Sequence, residues 1–226
     1  MVGLRAFAAE LSGTFCLVLG AAGAACMDAL TGGRLGPGGV ALAYAAATVT
    51  AFHAFPGAVG RFNPALTLAE FGFKRLGVLQ MVFALTAQLL GSACAALFLR
   101  AALSGRPELL EPPISLGACA LSGIGYRSAT LVEAVLTFFL ACAVAAAADN
   151  RAAKRRGPLA IGAATLLAGL AAGPLTGAAL NPARAFGPAL ASGFWSYHYV
   201  FWVGPIAGAA LAALVSPYLI HEEKRP

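Results

Sequence analysis

The chain has 226 residues, of which 60% are hydrophobic and only 11% are charged, and its mean hydropathy is +0.81. A water-soluble globule of this composition would lack the polar surface needed to cover itself, so the composition indicates an integral membrane protein. The net charge of +6 comes from basic residues spread among the joints between apolar segments. Because they form no stripe with interleaved aromatic residues, we expect no nucleic-acid partner.

The apolar segments are continuous runs rich in Ala, Leu, Gly and Val. They lack the period-two alternation of a transmembrane barrel, which favours helices. A bilayer core about 30 Å thick requires roughly 20 helical residues. Six segments approach this length and are predicted to span the membrane: 6–27, 40–56, 76–99, 129–148, 159–176 and 197–220. The first has no convincing signal-peptide cleavage site and is expected to remain as the first span.

Two further apolar segments, 64–73 and 182–192, are about half as long as a span. Each begins at the proline of an Asn-Pro-Ala turn. The turns consist of Asn63, Pro64 and Ala65 in the first half and Asn181, Pro182 and Ala183 in the second. Asparagine is a strong N-cap and proline is favoured at the first helical position, so each turn predicts the start of a half-length helix.

The two halves of the chain resemble each other. An E-x-x-x-T-F pattern that begins at Glu10 in the first span recurs at Glu133 in the fourth, and the Asn-Pro-Ala turns occupy matching places. We therefore predict one channel domain over residues 1–226, with repeats at about 1–104 and 127–226. Three spans are an odd number, so the second repeat must cross in the opposite sense, giving an inverted repeat.

The paired turns predict a pore. If each chain dips to the bilayer centre and begins a half-helix there, the positive ends of both helices converge. Non-helical backbone at that depth is tolerated only where it is buried in protein or lines a water-filled cavity. A single turn would be an ordinary helix cap, but two in matching places make that explanation poor.

Two acids, Glu10 and Glu133, lie inside predicted full spans. A proton relay is one possible role for such carboxylates. Their symmetric placement favours a structural role, in which each carboxylate accepts hydrogen bonds from the backbone of a re-entrant loop.

These motifs resemble the aquaporin or major intrinsic protein family over essentially the whole chain. Segments 87–91 (AQLLG), 157–162 (GPLAIG) and 201–205 (FWVGP) are similar to the third, fifth and sixth spans of that family. The resemblance implies six tilted helices plus two half-helices, assembled as a homotetramer with one pore in each protomer. It also implies that Asn63 and Asn181 turn their side-chain amides into the channel as donors while their backbones cap the half-helices. Such a channel would pass neutral molecules and exclude ions and protons.

The same resemblance assigns a selectivity filter to Tyr44, Gly169, Ala178 and Arg184. Arg184 follows the second turn directly, where a deep arginine requires a water-lined wall and carbonyl partners. Gly169 stands where water-only channels usually carry histidine, and Ala178 is also small. Tyr44 is the candidate aromatic residue of the second span. We therefore expect an opening wider than a water-only filter.

The sequence gives conflicting indications of which solute the channel admits. Segment 173–188 (GPLTGAALNPARAFGP) resembles glycerol facilitators, yet Ala185 and Ala189 stand where those proteins carry an aspartate and a basic residue. Phe201 and Trp202 resemble the water-channel type. We expect water permeation together with leakage of small uncharged solutes such as glycerol, urea, ammonia or undissociated metalloid acids.

Basic residues predict the orientation of the chain. The side that holds both termini carries Arg5, Arg61, Lys74, Arg75, Arg151, Lys154, Arg155, Arg156, Lys224 and Arg225. The opposite side carries Arg34, Arg100, Arg106, Arg127 and Arg184. Because cytoplasmic loops are enriched in Lys and Arg, both termini are expected in the cytoplasm, and the compact chain suggests a bacterial inner membrane.

Two other functions remain open from the sequence: a secondary transporter with a broken-helix substrate site, and a membrane scaffold with a vestigial pore. An enzyme is not expected, because Ser-His-Asp, HExxH and GxSxG arrangements are missing. The five cysteines have no paired CxxC spacing, and His53 and His198 show no metal-ligand spacing. We therefore expect neither a metal nor another cofactor.

Overall fold

The computed structural model describes residues 3–149 and 156–219. In this part of the chain there are eight α-helices, two short 3₁₀ helices and no strand. The α-helices are α1 (Leu4–Leu30), α2 (Gly36–Ala54), α3 (Pro64–Gly72), α4 (Val78–Ala102), α5 (Tyr126–Asp149), α6 (Gly157–Thr176), α7 (Pro182–Ser192) and α8 (Val200–Leu219). The 3₁₀ helices, Pro107–Leu109 and Ser115–Gly117, lie between α4 and α5. The all-helical fold predicted from the sequence is confirmed.

Five of these helices, α1, α4, α5, α6 and α8, are long and apolar enough to cross a membrane. The sixth span is α2, which has 19 residues, a length of about 28 Å at 1.5 Å per residue. Its many Ala, Gly and Thr residues make it less apolar, and it packs between α1 and α6. The protein is therefore a multi-pass membrane protein. The two remaining helices, α3 and α7, are the predicted half-helices.

The predicted bounds of α2, 40–56, were wrong at both ends. The helix begins at Gly36 with a proline in its first turn, a position where the missing N–H of proline is not needed. It ends at Ala54 because Phe55 precedes Pro56, and a residue before proline is disfavoured in the helical region. Helix α8 likewise begins at Val200 rather than at Tyr197, whose φ is +48°.

The other predicted bounds were closer to the structure. Helices α1 and α5 run up to three residues beyond the predicted segments at both ends. Helix α4 begins two residues later and ends three residues later than predicted, α6 begins two residues earlier, α3 ends one residue earlier, and α7 agrees. The differences arise because polar residues at the membrane surface can continue a helix that hydrophobicity alone would end. The predicted end of the last span at residue 220, the termini and the basic residues Arg151, Lys154, Arg155, Lys224 and Arg225 lie outside the described residues.

Helix packing follows the repeat. In the first half α1 packs on α2 and α4, and in the second half α5 packs on α6 and α8. Each half-helix, however, packs on the last span of the opposite half: α3 on α8, and α7 on α4. Helices α2 and α6 meet across the centre. The packing of each half-helix on the opposite half brings the two Asn-Pro-Ala turns together.

Small residues permit this close packing at equivalent places. A Cβ atom on Gly91 of α4 would collide with the carbonyl oxygen of Leu11 on α1, and one on Gly208 of α8 would collide with that of Ala134 on α5. Because lipid tails are as apolar as leucine, close backbone contact is a main source of helix association in membranes. These glycines therefore fix the two outer helix pairs that carry Glu10 and Glu133.

Candidate pore site

The two asparagines are the N-caps of the half-helices. Their backbones are extended, with φ −148° and ψ 112° at Asn63 and φ −152° and ψ 112° at Asn181. The Oδ1 of Asn63 accepts a 2.9 Å hydrogen bond from the Ala65 N–H, and that of Asn181 accepts one of 2.9 Å from Ala183. The expectation that their backbones act as the caps was wrong. The side-chain oxygen is the cap, because the first N–H groups of a helix have no partner within it.

The side-chain nitrogens of the asparagines link the two halves. Nδ2 of Asn63 donates to the Leu180 carbonyl oxygen at 2.9 Å, and Nδ2 of Asn181 donates to that of Phe62 at 2.8 Å. A carboxamide has two N–H groups, so each asparagine keeps one further donor. Both residues line a small cavity at this junction, and we therefore regard the remaining donors as available to a passing molecule.

The residues before the asparagines adopt a left-handed backbone. The φ angle is +59° at Phe62 and +56° at Leu180. For residues with a Cβ this conformation costs on the order of 1–3 kcal/mol each, and it persists only where surrounding contacts determine it. In this protein those contacts include the two buried carboxylates.

Glu10 holds the first turn. The side chain is fully buried, and its two oxygens accept hydrogen bonds from the backbone N–H of Gly60 and, at 2.9 Å, from that of Phe62. The Nε2 of Gln88 on α4 donates to the same carboxylate at 2.9 Å. Three donors satisfy a buried carboxylate without a basic partner.

Glu133 holds the second turn in the same way. It is also fully buried and accepts hydrogen bonds from the backbone N–H of Ala179 at 2.9 Å and of Leu180 at 2.8 Å. The third donor is the Thr176 hydroxyl, at 2.7 Å. The matching contacts support the structural role predicted for both acids over a proton relay, and that role stays a prediction.

Three cavities follow one another through the junction. We call them the Arg184 cavity, of about 280 Å³, the central cavity, of about 10 Å³, and the Arg61 cavity, of about 380 Å³. Tyr44 lines both the Arg184 cavity and the central cavity, whereas Phe52 and Arg61 line both the central cavity and the Arg61 cavity. Because of these shared residues, the central cavity adjoins each of the other two. The central cavity has room for roughly one water molecule.

The structure brings all four predicted filter residues to the Arg184 cavity. Arg184 is only 4% exposed, and its Nη1 donates to the Gly117 carbonyl oxygen at 2.8 Å. Its Nε has no partner among the residues that the structure describes. Tyr44 is also buried, and its Oη donates to the Ala179 carbonyl oxygen at 3.0 Å. The guanidinium is therefore anchored on one side and retains donors for a solute.

Gly169 also has a packing role that was not part of its assignment to the filter. A Cβ atom at this position would lie 2.6 Å from the Cβ and 3.1 Å from the Cα of Ala41 on α2. Gly169 therefore permits the approach of α2 and α6 as well as leaving space in the cavity. A Cβ atom on Gly162, two turns earlier on the same helix, would likewise collide with α2. The recurrence of glycine on α6 was the sequence signal for this close packing.

Sequence reasoning missed three groups of the site. Arg61 was assigned only to a membrane surface, yet it lines the central cavity and the cavity named after it. The carbonyl oxygens of Gly117 and Ala179 accept hydrogen bonds from Arg184 and Tyr44. They could not be identified because residue type does not determine the direction of a backbone carbonyl group. His53, which is exposed, and His198, which packs on Trp195, lie in none of these three cavities.

Comparison with known proteins identifies the family. The sequence model of the family described as Major intrinsic protein matches residues 1–216. The chain belongs to the major intrinsic protein family. Its relatives in this family include the protein described as Probable aquaporin TIP3-2 from Arabidopsis thaliana, at 38% identity over 96% of this chain and 84% of the relative. Aquaporin TIP4-4 from Zea mays is 39% identical over 94% of this chain and 85% of its own.

A solved structure of the same fold is the aquaglyceroporin from Plasmodium falciparum. It superposes with a TM-score of 0.86 over 96% of both chains, at 21% identity. The similarity shows the fold of six spans and two half-helices. Membership of the major intrinsic protein family confirms the resemblance read from the sequence, and with it the predicted class of function, a passive channel for water and small solutes.

Proposed function

We propose that this major intrinsic protein is a passive water channel that also admits small uncharged solutes and excludes ions and protons. The observation that carries the proposal is the row of three cavities that meets at Asn63 and Asn181. The central cavity forces molecules to pass one at a time. The wider cavities on either side supply them from the two faces of the membrane.

The junction would orient each passing water molecule. Helices α3 and α7 begin at the asparagines, so the positive ends of both helix dipoles meet at the central cavity. A water oxygen placed there accepts from the free N–H groups of Asn63 and Asn181, and its hydrogens then point away from the junction. Because this water donates in both directions and accepts from the protein, a continuous proton wire is interrupted.

Ion exclusion follows from size and charge. A central cavity with room for roughly one water molecule cannot hold the hydration shell of an ion, and its wall offers donors where a cation would need acceptors. The charge of Arg184 beside this passage opposes cations further.

The Arg184 cavity sets the range of solutes. Gly169 and Ala178 form the small part of its wall, and Arg184 supplies donors to a hydroxyl or carbonyl oxygen. We propose that glycerol, urea and undissociated metalloid acids enter in addition to water. Tyr44, which separates this cavity from the central one, is the residue they must pass.

Stopped-flow measurements in proteoliposomes test the proposal. Osmotic water flux should exceed that of empty vesicles, and glycerol and urea should cause swelling. Ala178→Leu, which fills part of the Arg184 cavity, should reduce glycerol flux more than water flux. The absence of water flux from folded protein would refute the channel and favour a scaffold, whereas uphill solute flux driven by an ion gradient would favour a secondary transporter.

We also propose a homotetramer in a bacterial inner membrane, with both termini in the cytoplasm and one channel domain formed by the two repeats. The described surface carries many exposed large apolar side chains on the spans, such as Leu79, Phe98, Leu131, Leu167 and Leu211. Such a surface suits contact with lipid or with neighbouring protomers. Cross-linking in native membranes tests the tetramer, and a monomer under those conditions would refute it.

A further inference from the structure

Arg61 occupies a place in the channel wall that the proposed mechanism has not used. It lines the central cavity together with Asn63 and Asn181, and it also lines the larger cavity on the side away from Arg184. The central cavity therefore has a filter arginine beyond one end, past Tyr44, and a second arginine at the other end.

The backbone of Arg61 is fixed in this position. Its φ is +59°, a left-handed conformation that is unfavourable for a residue with a Cβ. The N–H groups of both neighbours, Gly60 and Phe62, donate to the buried Glu10 carboxylate. The carboxylate thus holds the chain on either side of Arg61, which places the root of its side chain at the channel wall.

The positive charge of Arg61 is not paired within the described part of the chain. Two salt bridges occur there, between Arg75 and Glu70 and between Arg106 and Glu108. Glu10, the carboxylate nearest in the chain fold to the Arg61 backbone, is occupied by backbone N–H groups and by Gln88. The Glu10 carboxylate attracts this charge without forming a salt bridge with it. A guanidinium is always protonated in proteins, so Arg61 keeps its charge at the wall of the cavities that it lines.

We propose that Arg61 is a second charge-selecting residue of the channel, placed across the asparagine junction from Arg184. This inference rests on the proposed channel function and extends it. A cation that crosses the membrane meets one fixed positive charge on each side of the junction. Within about 10 Å and at an effective dielectric constant of about 20, one such charge slows the entry of a monovalent cation by on the order of tenfold to a hundredfold. Loss of Arg184 alone therefore leaves a substantial barrier.

Proton flux in proteoliposomes tests this inference. A potassium gradient with valinomycin sets the membrane potential, an entrapped pH dye reports proton entry, and water flux is measured on the same vesicles. We compare the wild type with Arg184→Gln and with the double variant Arg61→Gln/Arg184→Gln. Arg61→Lys/Arg184→Gln keeps the charge, and Arg5→Gln/Arg184→Gln removes an exposed arginine that lines none of the three cavities.

The expected result is a proton flux at least about tenfold higher in the neutral double variant than in Arg184→Gln. The two control double variants should match Arg184→Gln. Equal flux in Arg184→Gln and the neutral double variant would overturn the inference, as would a full leak in Arg184→Gln alone, which still contains Arg61. This single variant decides the matter if the double variant does not fold. Failure of the wild type to conduct water would instead refute the proposed channel.

Discussion

Replacing the Glu133 carboxylate by its amide tests whether the buried acids hold the re-entrant turns. In Glu133→Gln, the amide oxygen can replace the carboxylate oxygen that accepts from Thr176 and Ala179. The amide nitrogen then faces the N–H of Leu180, which donates to the other oxygen at 2.8 Å in the wild type. One charge-assisted hydrogen bond, worth about 1.5–3 kcal/mol, is lost and two donors oppose each other.

The expected loss of unfolding free energy is about 2–4 kcal/mol, since the two remaining bonds also lose their charge assistance. For a chain of this size that corresponds to a decrease in melting temperature of roughly 5–15 °C. Thermal unfolding in detergent measures it, and water flux should fall in parallel because the second turn shapes the central cavity.

The matched control is Glu70→Gln. Glu70 pairs with Arg75 at 3.5 Å on the surface, and its side chain is 33% exposed. Such a pair contributes about 0–1 kcal/mol, so this variant should unfold near the wild-type temperature. If Glu133→Gln is as stable and as conductive as Glu70→Gln, the carboxylate is not what holds the turn, and the structural role assigned to it is wrong.

Three further predictions concern the Arg184 cavity. Gly169→Ala should lower stability by about 1–3 kcal/mol through overpacking against Ala41, measurable as a lower melting temperature; an unchanged value would contradict the close helix contact. Ala178→Cys should make water flux sensitive to a water-soluble thiol reagent. The wild type should stay insensitive because none of its five cysteines lines the three cavities, and burial raises the pKa of Cys119 to about 11; a labelled but conducting variant would place Ala178 outside the path. Tyr44→Phe should raise glycerol flux by freeing its acceptor carbonyl, and an unchanged flux would remove Tyr44 from the filter.

Much of the fold could be predicted because its causes are local. Long apolar runs require a membrane, an Asn-Pro pair begins a helix, and the half-length of α3 and α7 follows from where the apolar residues stop. The bounds of α2 were predicted wrongly because the glycines and the proline of its first turn weaken the hydrophobic signal on which such predictions depend. The error in the bounds of α2 therefore also has a local cause.

The site was only partly predictable because its main contacts join distant residues. The sequence identified Asn63 and Asn181, but the resemblance assigned their capping role to the backbone. Their side-chain nitrogens donate to carbonyl oxygens in the opposite half, a contact that residue order along the chain does not reveal. The position of Arg61 in the sequence indicated a membrane surface, so its place in the channel wall could not be predicted. The packing role of Gly169 required knowledge of which helix lies opposite.

The structure gives two equivalent residues the same pair of contacts, and these contacts explain why the turns occur together. Phe62 donates its N–H to Glu10 of its own half and accepts from Asn181 of the other half. Leu180 donates to Glu133 of its own half and accepts from Asn63. Each left-handed residue is thus held by its own scaffold and in turn positions the asparagine opposite. Because neither turn is fully satisfied without the other, the halves form the central cavity only as a pair.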